Sequence, residues 1–356
     1  MSTNSRQEKF SGTKDVQAHL RFDDARLEDW MADHVEGFAG PLTVKEFKGG
    51  QSNPTYQLVT PQQRYVLRRK PPGNLLPSAH AVDREFRVIK ALNAADFPVP
   101  TAYALCEDET IIGTMFYVME MVDGRIFWDL ALPEQSPTER AAIYDAMITT
   151  LAGLQSIDYR QAGLEGFGKT TDYMARQIHR WSKIYVASET SKIPRMDELN
   201  AWLPRHIPES QETCIIHGDY RLDNMIIHPQ EPRVVAVLDW ELSTLGHPLG
   251  DFAYHMAPWL IPAVDERVSS LEGLDLEALG IPTEEQYLTR YCSLTGRSEI
   301  PHLAFYKAYT LWRLAAIYQG IIKRVEDGTA ASADAPTTTD IVEQFAERAW
   351  QYAMED

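Results

Sequence analysis

Residues 213–241 constrain the fold of this chain more than any other stretch of its sequence. They read TCIIHGDYRLDNMIIHPQEPRVVAVLDWE and open on a short apolar segment that leads into a polar loop. Two further apolar segments follow, at 226–227 and 234–238, and a turn that carries Pro229 and Pro232 lies between them. Short apolar segments joined by such a turn are typical of a β-hairpin with a longer loop, so the sequence predicts a hairpin here.

Three polar residues stand at the edges of these segments, namely Asp219, Asn224 and Asp239. Packing alone does not explain them, because a carboxylate or amide beside a buried strand must be desolvated and paired. They are the groups that phosphoryl transfer requires, since its loose transition state leaves the protein to position a hydroxyl and to screen charge with Mg²⁺. We expect Asp219 to accept the hydroxyl proton, and Asn224 and Asp239 to supply hard oxygen ligands to Mg²⁺. Arg221 is expected to steady the γ-phosphate as a fixed positive charge.

This run resembles the catalytic loop of the protein-kinase-like enzymes, in which H-x-D-x-x-x-x-N precedes a hairpin and a metal-binding aspartate. It departs from the protein kinases at two points, because Gly218 replaces the arginine of H-R-D and Asp239-Trp240-Glu241 replaces D-F-G. With these departures it resembles the aminoglycoside phosphotransferase and choline kinase family. That resemblance implies a protein-kinase-like α+β fold, with a small antiparallel N-terminal lobe and a larger, mainly helical C-terminal lobe. The alternative interpretation is a tight turn with an Asx cap and an ordinary hairpin.

The resemblance also implies a function, which is an ATP- or GTP-dependent, Mg²⁺-requiring kinase of a small-molecule hydroxyl. The segments GGQSNPTYQL, VLRRKPPG and LDWELSTLGHPLGDFAY resemble one branch of the family, which includes the phosphotransferase domain fused to some acyl-CoA dehydrogenases. For that branch, a hydroxyacyl-CoA-type acceptor is implied. The residues themselves leave open whether the acceptor is an aminoglycoside, a choline-like alcohol, a sugar or a hydroxyacyl thioester. They leave the oligomeric state open as well.

The length of the chain is compatible with two lobes, since 356 residues exceed the roughly 150 residues of a typical domain. Residues 1–22 are polar and aperiodic, so we expect a disordered or loosely ordered N-terminus. By the resemblance, residues 23–122 form the N-terminal nucleotide-binding lobe. Residues 123–356 then form the C-terminal catalytic and acceptor-binding lobe.

A glycine-containing turn between two predicted strands is the first candidate for nucleotide binding. Its residues Gly50, Ser52 and Asn53 stand where the backbone N–H groups of a hairpin turn can approach phosphates. A turn of this composition also occurs as a plain hairpin connection, and the sequence leaves that alternative open.

The strand RYVLRRK follows, and the resemblance implies that it carries the cation that pairs with the α- and β-phosphates. Its register puts Arg68 in place of the usual lysine, with Arg69 and Lys70 as alternatives. Arginine is always charged and binds phosphate through two N–H groups, so the exchange is chemically compatible. On the next predicted helix, Glu85 is expected to orient that cation. The alternative for Glu85 is a solvated charge on an exposed helix face.

The resemblance implies roles for Glu120, Val122 and Asp251, whereas the interpretation of Arg313 rests on its apolar surroundings alone. The apolar strand TMFYVMEMVDGR implies an adenine site made of main-chain groups, the Glu120 carbonyl and the Val122 amide. Asp251, at the start of a later helix, resembles a family position that braces the catalytic loop by hydrogen bonds. Arg313 lies among apolar residues of a long helix, where it could meet a substrate carboxylate or phosphate. An ion pair within the protein is favoured for Arg313.

The composition bounds the partners of this chain. A net charge of −17 argues against nucleic acid and anionic membranes, because both repel an acidic surface. The three cysteines form no C-x-x-C pair and no even disulfide framework, which favours reduced thiols. No apolar run approaches the ~18 residues of a membrane span, and the N-terminus has no signal-peptide pattern. We therefore expect a soluble, cytoplasmic protein whose partner is a small hydroxylated acceptor.

Three other functions compete with this one. A catalytically inactive nucleotide-binding (pseudokinase-like) module is favoured only by Arg68 in place of lysine, and the intact polar residues of the hairpin argue against it. A metal-dependent hydrolase that uses His217 and Asp219 would need further metal ligands, which the sequence does not provide. A protein kinase is disfavoured by Gly218 and by the lack of an A-P-E signal after D-W-E.

Overall fold

The computed structural model describes residues 11–49, 53–73, 80–210, 212–264, 268–329 and 336–355. The chain divides into two compact units. Unit 1 comprises Met1–Trp128, Tyr159–Glu165 and Leu222–Ser243, and unit 2 comprises Asp129–Asp158, Gly166–Arg221 and Thr244–Asp356. The predicted hairpin thus belongs to unit 1, whereas the loop that carries Asp219 belongs to unit 2.

Unit 1 is built on an antiparallel sheet of six strands among the described residues, in the order β1-β2-β3-β4-β6-β5. The small antiparallel N-terminal sheet implied by the family resemblance is therefore confirmed. Its strands are β1 (Thr13–Lys14), β2 (Thr43–Phe47), β3 (Thr55–Val59), β4 (Arg64–Arg69), β5 (Ala102–Cys106) and β6 (Phe116–Glu120).

Strand β4 lies inside this sheet, between β3 and β6, and its side chains alternate between the two faces. Tyr65 and Leu67 belong to the apolar core, together with Trp30 of helix α1 (Asp24–His34). Because successive side chains of a strand point to opposite faces, Arg68 lies on the face opposite Leu67. Helix α2 (Val82–Ala94) contributes Glu85 to that second face.

Residues 11–22, expected to be loosely ordered, lie against the sheet. β1 pairs with β2, and the backbone N–H of Gln17 donates to Glu46 Oε2 at 3.0 Å. The carbonyl of Leu20 accepts a hydrogen bond of 3.0 Å from the Tyr56 hydroxyl. A polar, aperiodic sequence does not by itself indicate a loose segment, because the edge of a sheet can order it through backbone pairing.

The predicted hairpin is present in unit 1. Its strands β8 (Met225–Ile227) and β9 (Val234–Val237) are antiparallel, and Met225 lies opposite Val237. A 3₁₀ turn, Leu222–Asn224, precedes β8, and a second one, Trp240–Leu242, follows Asp239. This arrangement brings the segment before β8 and the segment after β9 to the same end of the hairpin.

Unit 2 is mainly helical, as the resemblance implies. A short antiparallel pair, β7 (Cys214–Ile216) and β10 (Thr244–Gly246), lies among its helices. The described helices are α3 (Pro137–Ser156), α4 (Tyr173–Ser188), α5 (Pro194–Trp202), α6 (Pro248–His255), α7 (Ala257–Leu260), α8 (Leu276–Leu279), α9 (Glu284–Thr295), α10 (Leu303–Glu326) and α11 (Asp340–Ala353).

Helix α10 is central to unit 2, because it packs against α11, α4 and α6. Its sequence is apolar on most faces, and Trp312 is fully buried. Helix α6 is buried along its whole length and lies against β7, so it borders the loop that follows β7. Within the described ranges, no helix combines the length and the apolar character that crossing a bilayer would require.

Candidate active site

Arg68 is the centre of a buried ionic cluster in unit 1. Its Nε lies 2.9 Å from Glu85 Oε2, and its Nη2 lies 2.6 Å from Asp239 Oδ1. The same Nη2 lies 3.4 Å from Glu241 Oε2. The Glu85 side chain is 1% exposed, so it is not a solvated charge on a helix face. The structure thus brings together three residues predicted from separate segments, and it adds Glu241 to them.

This cluster holds three carboxylates around one guanidinium. Burial is the largest influence on Glu85 and raises the pKa of its carboxyl to about 7, although Arg68 opposes this shift. Burial also disfavours the charge of Arg68, but the carboxylates of Glu85 and Asp239 outweigh it and raise the pKa of the guanidinium. An excess of carboxylate over cation attracts further positive charge, such as a divalent ion.

Arg69, an alternative candidate for the phosphate-binding cation, lies on the other face of β4. Its Nη1 donates to the Ile112 carbonyl at 2.9 Å, and its Nη2 donates to the Leu20 carbonyl at 3.2 Å. Its guanidinium also lies 5.1 Å from the centroid of the Phe22 ring. These contacts hold Arg69 within the fold of unit 1, and Arg68 remains the candidate cation.

Asn53 is fully buried and bridges members of the cluster. Its Nδ2 donates to Glu85 Oε1 at 2.9 Å and to Glu241 Oε2 at 3.4 Å. Its Oδ1 lies 2.8 Å from His80 Nδ1, which must be the donor, because an amide oxygen only accepts. The predicted contact of the Asn53 turn with phosphates also includes Gly50 and Ser52, which lie outside the described residues.

Asn224 and Asp239 lie at one end of the β8–β9 hairpin. The Asn224 carbonyl accepts a 2.8 Å hydrogen bond from the N–H of Leu238, directly before Asp239. Asp239 has a left-handed backbone φ of +65°, which aspartate adopts more readily than most residues. In the part of the chain that the structure describes, no three or more His, Cys, Asp or Glu side chains form a metal-holding group. A carboxylate and an amide still suit Mg²⁺, which keeps several waters and takes few protein ligands.

Glu120 and Val122 lie at the end of β6 and just beyond it. The backbone N–H of Glu120 donates to the Thr101 carbonyl at 2.9 Å. The Glu120 side chain accepts from the Thr101 N–H at 3.1 Å and from its hydroxyl at 2.7 Å. The side chain of Glu120 therefore fixes the end of β6, and a role in nucleotide binding rests on main-chain groups alone.

In unit 2, the loop after β7 carries His217, Gly218 and Asp219. Asp251 of α6 accepts two hydrogen bonds from it, from the His217 N–H to Oδ2 and from the Gly218 N–H to Oδ1, both at 2.8 Å. The brace that the resemblance assigns to Asp251 is thus confirmed. Gly218 has a backbone φ of +86°, which a residue with a Cβ adopts only with strain. This conformation explains the glycine at the position of the kinase arginine.

His217 has a structural position in this loop. It is fully buried, and its Nδ1 accepts a hydrogen bond of 3.2 Å from the Asp219 N–H. Its ring meets the Tyr220 ring edge to face, with centroids 5.8 Å apart. A buried imidazole whose nitrogen accepts from the backbone does not act as a solvent-facing metal ligand, which weighs against the hydrolase alternative.

Tyr254 and Arg221 are among the neighbours of the Asp219 carboxylate. The Tyr254 hydroxyl donates to Oδ1 at 2.6 Å, and Arg221 Nε lies 3.3 Å from the same oxygen. The structure therefore brings the predicted base and the predicted phosphate-binding arginine together. The Arg221 side chain is half exposed, so solvent screens its charge more than that of Arg68.

Two important contacts were not predicted from the sequence. Tyr254 lies three residues after Asp251, and the i, i+3 spacing places both on one face of α6. This spacing is visible in the sequence, but the residue type does not distinguish Tyr254 from a core tyrosine. Asn53 was assigned to phosphate binding, but its side chain bonds inside the ionic cluster. No pattern in the sequence predicts that contact, because it joins positions 32 residues apart.

Comparison with known families gives one match across most of the chain. Residues 43–280 match the model described as the phosphotransferase enzyme family. This stretch includes β2 to α8 and so contains both the Arg68 cluster and the Asp219 loop.

Curated relatives are longer proteins. Acyl-CoA dehydrogenase family member 10 of Mus musculus is 47% identical over 317 residues, which cover 89% of this chain and 30% of the relative. Acyl-CoA dehydrogenase family member 11 of Rattus norvegicus is 44% identical over 349 residues, which cover 95% of this chain and 44% of the relative. The chain thus spans less than half the length of these two proteins, and the predicted branch of the family is confirmed.

Solved structures agree with the predicted fold. A Ralstonia eutropha JMP134 protein, provisionally named an aminoglycoside phosphotransferase, is 52% identical with a TM-score of 0.86, over 94% of this chain and 99% of that one. Choline kinase from Cryptosporidium parvum Iowa II is 12% identical with a TM-score of 0.59, over 94% and 96%. A thermostable mutant of aminoglycoside phosphotransferase APH(4)-Ia, in a ternary complex with AMP-PNP and hygromycin B, is 16% identical with a TM-score of 0.55, over 92% and 97%. The last two likenesses concern the fold alone.

Proposed function

We propose, since the chain belongs to the phosphotransferase enzyme family, that it transfers the γ-phosphoryl group of ATP or GTP to a hydroxyl group of a small molecule. Asp219 serves as the catalytic base in this reaction. Arg221 and Arg68 supply positive charge to the phosphates, and Asn224 and Asp239 hold Mg²⁺.

The contact set of Arg68 is the observation that carries this proposal. The sequence raised an objection at this position, because arginine replaces the lysine of related kinases. Arg68 nevertheless meets its expected acidic partner Glu85 at 2.9 Å, and it also lies 2.6 Å from Asp239, the expected metal ligand. A planar guanidinium reaches several carboxylates from one position, which a lysine ammonium on a single stem does less well. The arginine therefore fits a nucleotide site and needs no loss of function to explain it.

The proposed chemical step is a direct transfer. The acceptor hydroxyl gives its proton to the Asp219 carboxylate while its oxygen bonds to the γ-phosphorus. The bond from that phosphorus to the bridging oxygen breaks, and ADP or GDP leaves with the electron pair. Arg221, beside Asp219, supplies a fixed positive charge near the transferred group. The proton on Asp219 then passes to solvent, which restores the base.

The metal and the nucleotide are assigned to unit 1. Asp239 and Asn224 would hold Mg²⁺, which neutralises charge on the phosphate oxygens when it is bound. The adenine would meet the Glu120 carbonyl and the Val122 amide. The phosphates would meet Arg68 and the turn that carries Gly50, Ser52 and Asn53.

A nucleotide-binding module without catalysis is the second candidate. The 2.6 Å contact of Arg68 Nη2 with Asp239 Oδ1 favours it, because a metal ligand held by an arginine is less available to Mg²⁺. In that case nucleotide binding would not depend on Mg²⁺.

Two substitutions separate these functions. Thermal unfolding of the wild type with AMP-PNP should show a Mg²⁺-dependent rise in Tm that Asp239→Ala abolishes and Asp219→Asn retains. ADP release in the presence of an acceptor should fall about 10²- to 10⁴-fold in Asp219→Asn, because it lacks the base, while nucleotide affinity stays unchanged. A nucleotide-dependent shift without Mg²⁺ dependence, and without turnover on any acceptor, would favour the module. No shift with ATP, GTP or ADP would overturn both candidates.

The acceptor is best sought with a panel. APH(4)-Ia binds hygromycin B in its ternary complex, and the curated relatives bear the names of acyl-CoA dehydrogenases. The panel should therefore include an aminoglycoside, choline, a hexose and a hydroxyacyl-CoA, each tested by ADP release with the wild type. Asp219→Asn is the matched control, because it keeps the fold and the nucleotide site.

A further inference from the structure

Tyr254 donates a short hydrogen bond to the Asp219 carboxylate. Its hydroxyl lies 2.6 Å from Asp219 Oδ1, a distance typical of a hydroxyl that donates to an ionised carboxylate. Burial is the largest cause that raises the pKa of Tyr254 above its ordinary range, and the negative charge of Asp219 adds to this. The phenol therefore stays protonated at neutral pH and remains the donor.

Arg313 of α10 fixes both Tyr254 and the loop. Its guanidinium lies 4.4 Å from the centroid of the Tyr254 ring and 5.3 Å from that of Trp181. Its Nη2 donates to the Gly218 carbonyl at 2.9 Å. A guanidinium over an aromatic face is attracted by the ring quadrupole, and more strongly so in a buried position such as this one.

The surroundings of Arg313 decide between its two interpretations from sequence. Among the described residues no carboxylate forms an ion pair with Arg313 within 4.0 Å, although the charge of Asp219 helps to raise the pKa of its guanidinium. Its described contacts include two aromatic rings and a backbone carbonyl, and it is 6% exposed. A buried cation with these contacts serves the fold of the loop instead of an anionic substrate.

We propose that Tyr254 and Arg313 are positioning residues that set the orientation of the Asp219 carboxylate for proton transfer. This inference rests on the proposed function, because it concerns the base of that reaction. Tyr254 holds one carboxylate oxygen directly, and Arg313 holds both the Tyr254 ring and the Gly218 peptide group that precedes Asp219. Two helices, α6 and α10, thus fix the base from its side chain and from its backbone.

Tyr254→Phe is the sharpest test, because it removes only the donor and keeps the ring that Arg313 contacts. This variant loses a hydrogen bond to a charged group, so kcat should fall roughly 10- to 100-fold, which corresponds to about 1.4–2.7 kcal/mol of activation free energy. The KM for ATP should stay within a factor of two, because nothing near Arg68 changes. Arg313→Lys should lower kcat in the same direction, since an ammonium keeps the charge but loses the planar contact with the ring.

Tyr291→Phe is the matched control. Tyr291 lies in α9, is fully buried, and donates to Gln155 Oε1 at the same distance of 2.6 Å. This variant should lose similar stability in urea denaturation and keep the wild-type kcat. A purely structural role of Tyr254 predicts equal kcat values for the two variants at equal stability, and that result would overturn the inference.

The measurement is ADP release from ATP and Mg²⁺ with the acceptor that the panel identifies or, if none does, with water. The inference predicts a lower kcat for Tyr254→Phe in a background where Asp219 is intact, and no further loss when the variant is combined with Asp219→Asn. An equal loss in both backgrounds would contradict it and leave the proposed function intact. A wild-type protein that binds ATP without any turnover would overturn the proposed function, and this inference with it.

Discussion

The two groups of candidate site residues are held in place by different forces. In unit 1, Arg68, Glu85 and Asp239 hold one another through ionic contacts inside a poorly solvated cluster. In unit 2, Asp219 and its loop are held from outside, by hydrogen bonds from α6 and α10. The first group depends on its own balance of charge, and the second depends on the exact position of two helices. We therefore expect substitutions in the two units to have different effects.

Arg68→Met should give the largest effect, because it leaves three carboxylates without a cation. Removal of one partner from a buried ionic group costs about 3–5 kcal/mol, so the free energy of unfolding in urea should fall by that amount. The nucleotide-dependent rise in Tm should be lost as well. Arg68→Lys should retain part of the stability, because it keeps the charge.

Arg64→Met is the matched control on the same strand. Arg64 pairs with Asp123 at 2.6 Å, but 43% and 67% of the two side chains are exposed. An exposed pair contributes about 0–1 kcal/mol, so this variant should unfold almost as the wild type does. Equal losses for Arg64→Met and Arg68→Met would contradict the account of unit 1 as a charge-balanced cluster.

The two regions should also respond to pH in opposite directions. Burial raises the pKa of Glu85 from its ordinary value of 4.5 to about 7. The contribution of Glu85 to the free energy of unfolding is therefore fully present below pH 4.5 and is lost as pH rises through 7. Burial lowers the pKa of His255 from its ordinary value of 6.5 to about 4. The contribution of His255 to the free energy of unfolding is therefore present above pH 6.5 and is lost as pH falls through 4. Each shift corresponds to about 3 kcal/mol.

The two groups change the free energy of unfolding with pH in opposite directions, and their pH ranges overlap between 4.5 and 6.5. In Glu85→Gln the free energy of unfolding should rise more steeply with pH than in the wild type. In His255→Gln it should rise less steeply, because the Nδ1 and Nε2 contacts with Tyr220 and Tyr287 no longer involve a titrating ring. Urea denaturation across this range measures both slopes. Parallel curves for all three proteins would contradict the assigned directions.

Asn53→Ala should give a smaller effect. It removes the amide that bridges Glu85 and Glu241, and an unmade buried hydrogen bond costs about 1–3 kcal/mol. The nucleotide-dependent rise in Tm should also shrink, because the carboxylates around Arg68 are less fixed. Asn93→Ala is the control, since Asn93 bonds the backbone of Val99 and Ala102 in the same unit. A full nucleotide response in Asn53→Ala would contradict the positioning role of Asn53.

The sequence predicts the ionic cluster better than the loop support, and the reason is physical. An unpaired arginine is unfavourable in a buried strand, so Arg68 and Arg69 both need partners. The alternation of β4 places these two residues on opposite faces of the sheet. Glu85 is recognisable because a charge interrupts the apolar face of its helix. Charged residues at apolar positions stand out in one sequence, whatever their distance in the chain.

The residues that hold Asp219 in place do not all stand out in the sequence as charges at apolar positions. Tyr254 is an aromatic residue in an apolar helix, and nothing in its type distinguishes it from core tyrosines such as Tyr291. Its function depends on how far α6 is rotated about its axis, which is decided by packing on β7 and α10. Arg313 is visible in the sequence, but it contacts aromatic rings and a backbone carbonyl, which a search for opposite charges alone does not find.

Helix α6 presents its residues in the same order as the loop it supports. Asp251 binds the N–H groups of His217 and Gly218, Tyr254 binds the side chain of Asp219, and His255 Nδ1 lies 3.2 Å from the carbonyl of Tyr220. Helix α6 thus contacts four consecutive residues of the loop and fixes their positions. A shift of α6 would move the loop backbone and the Asp219 side chain together, so the packing of α6 in the core of unit 2 determines the geometry of the base.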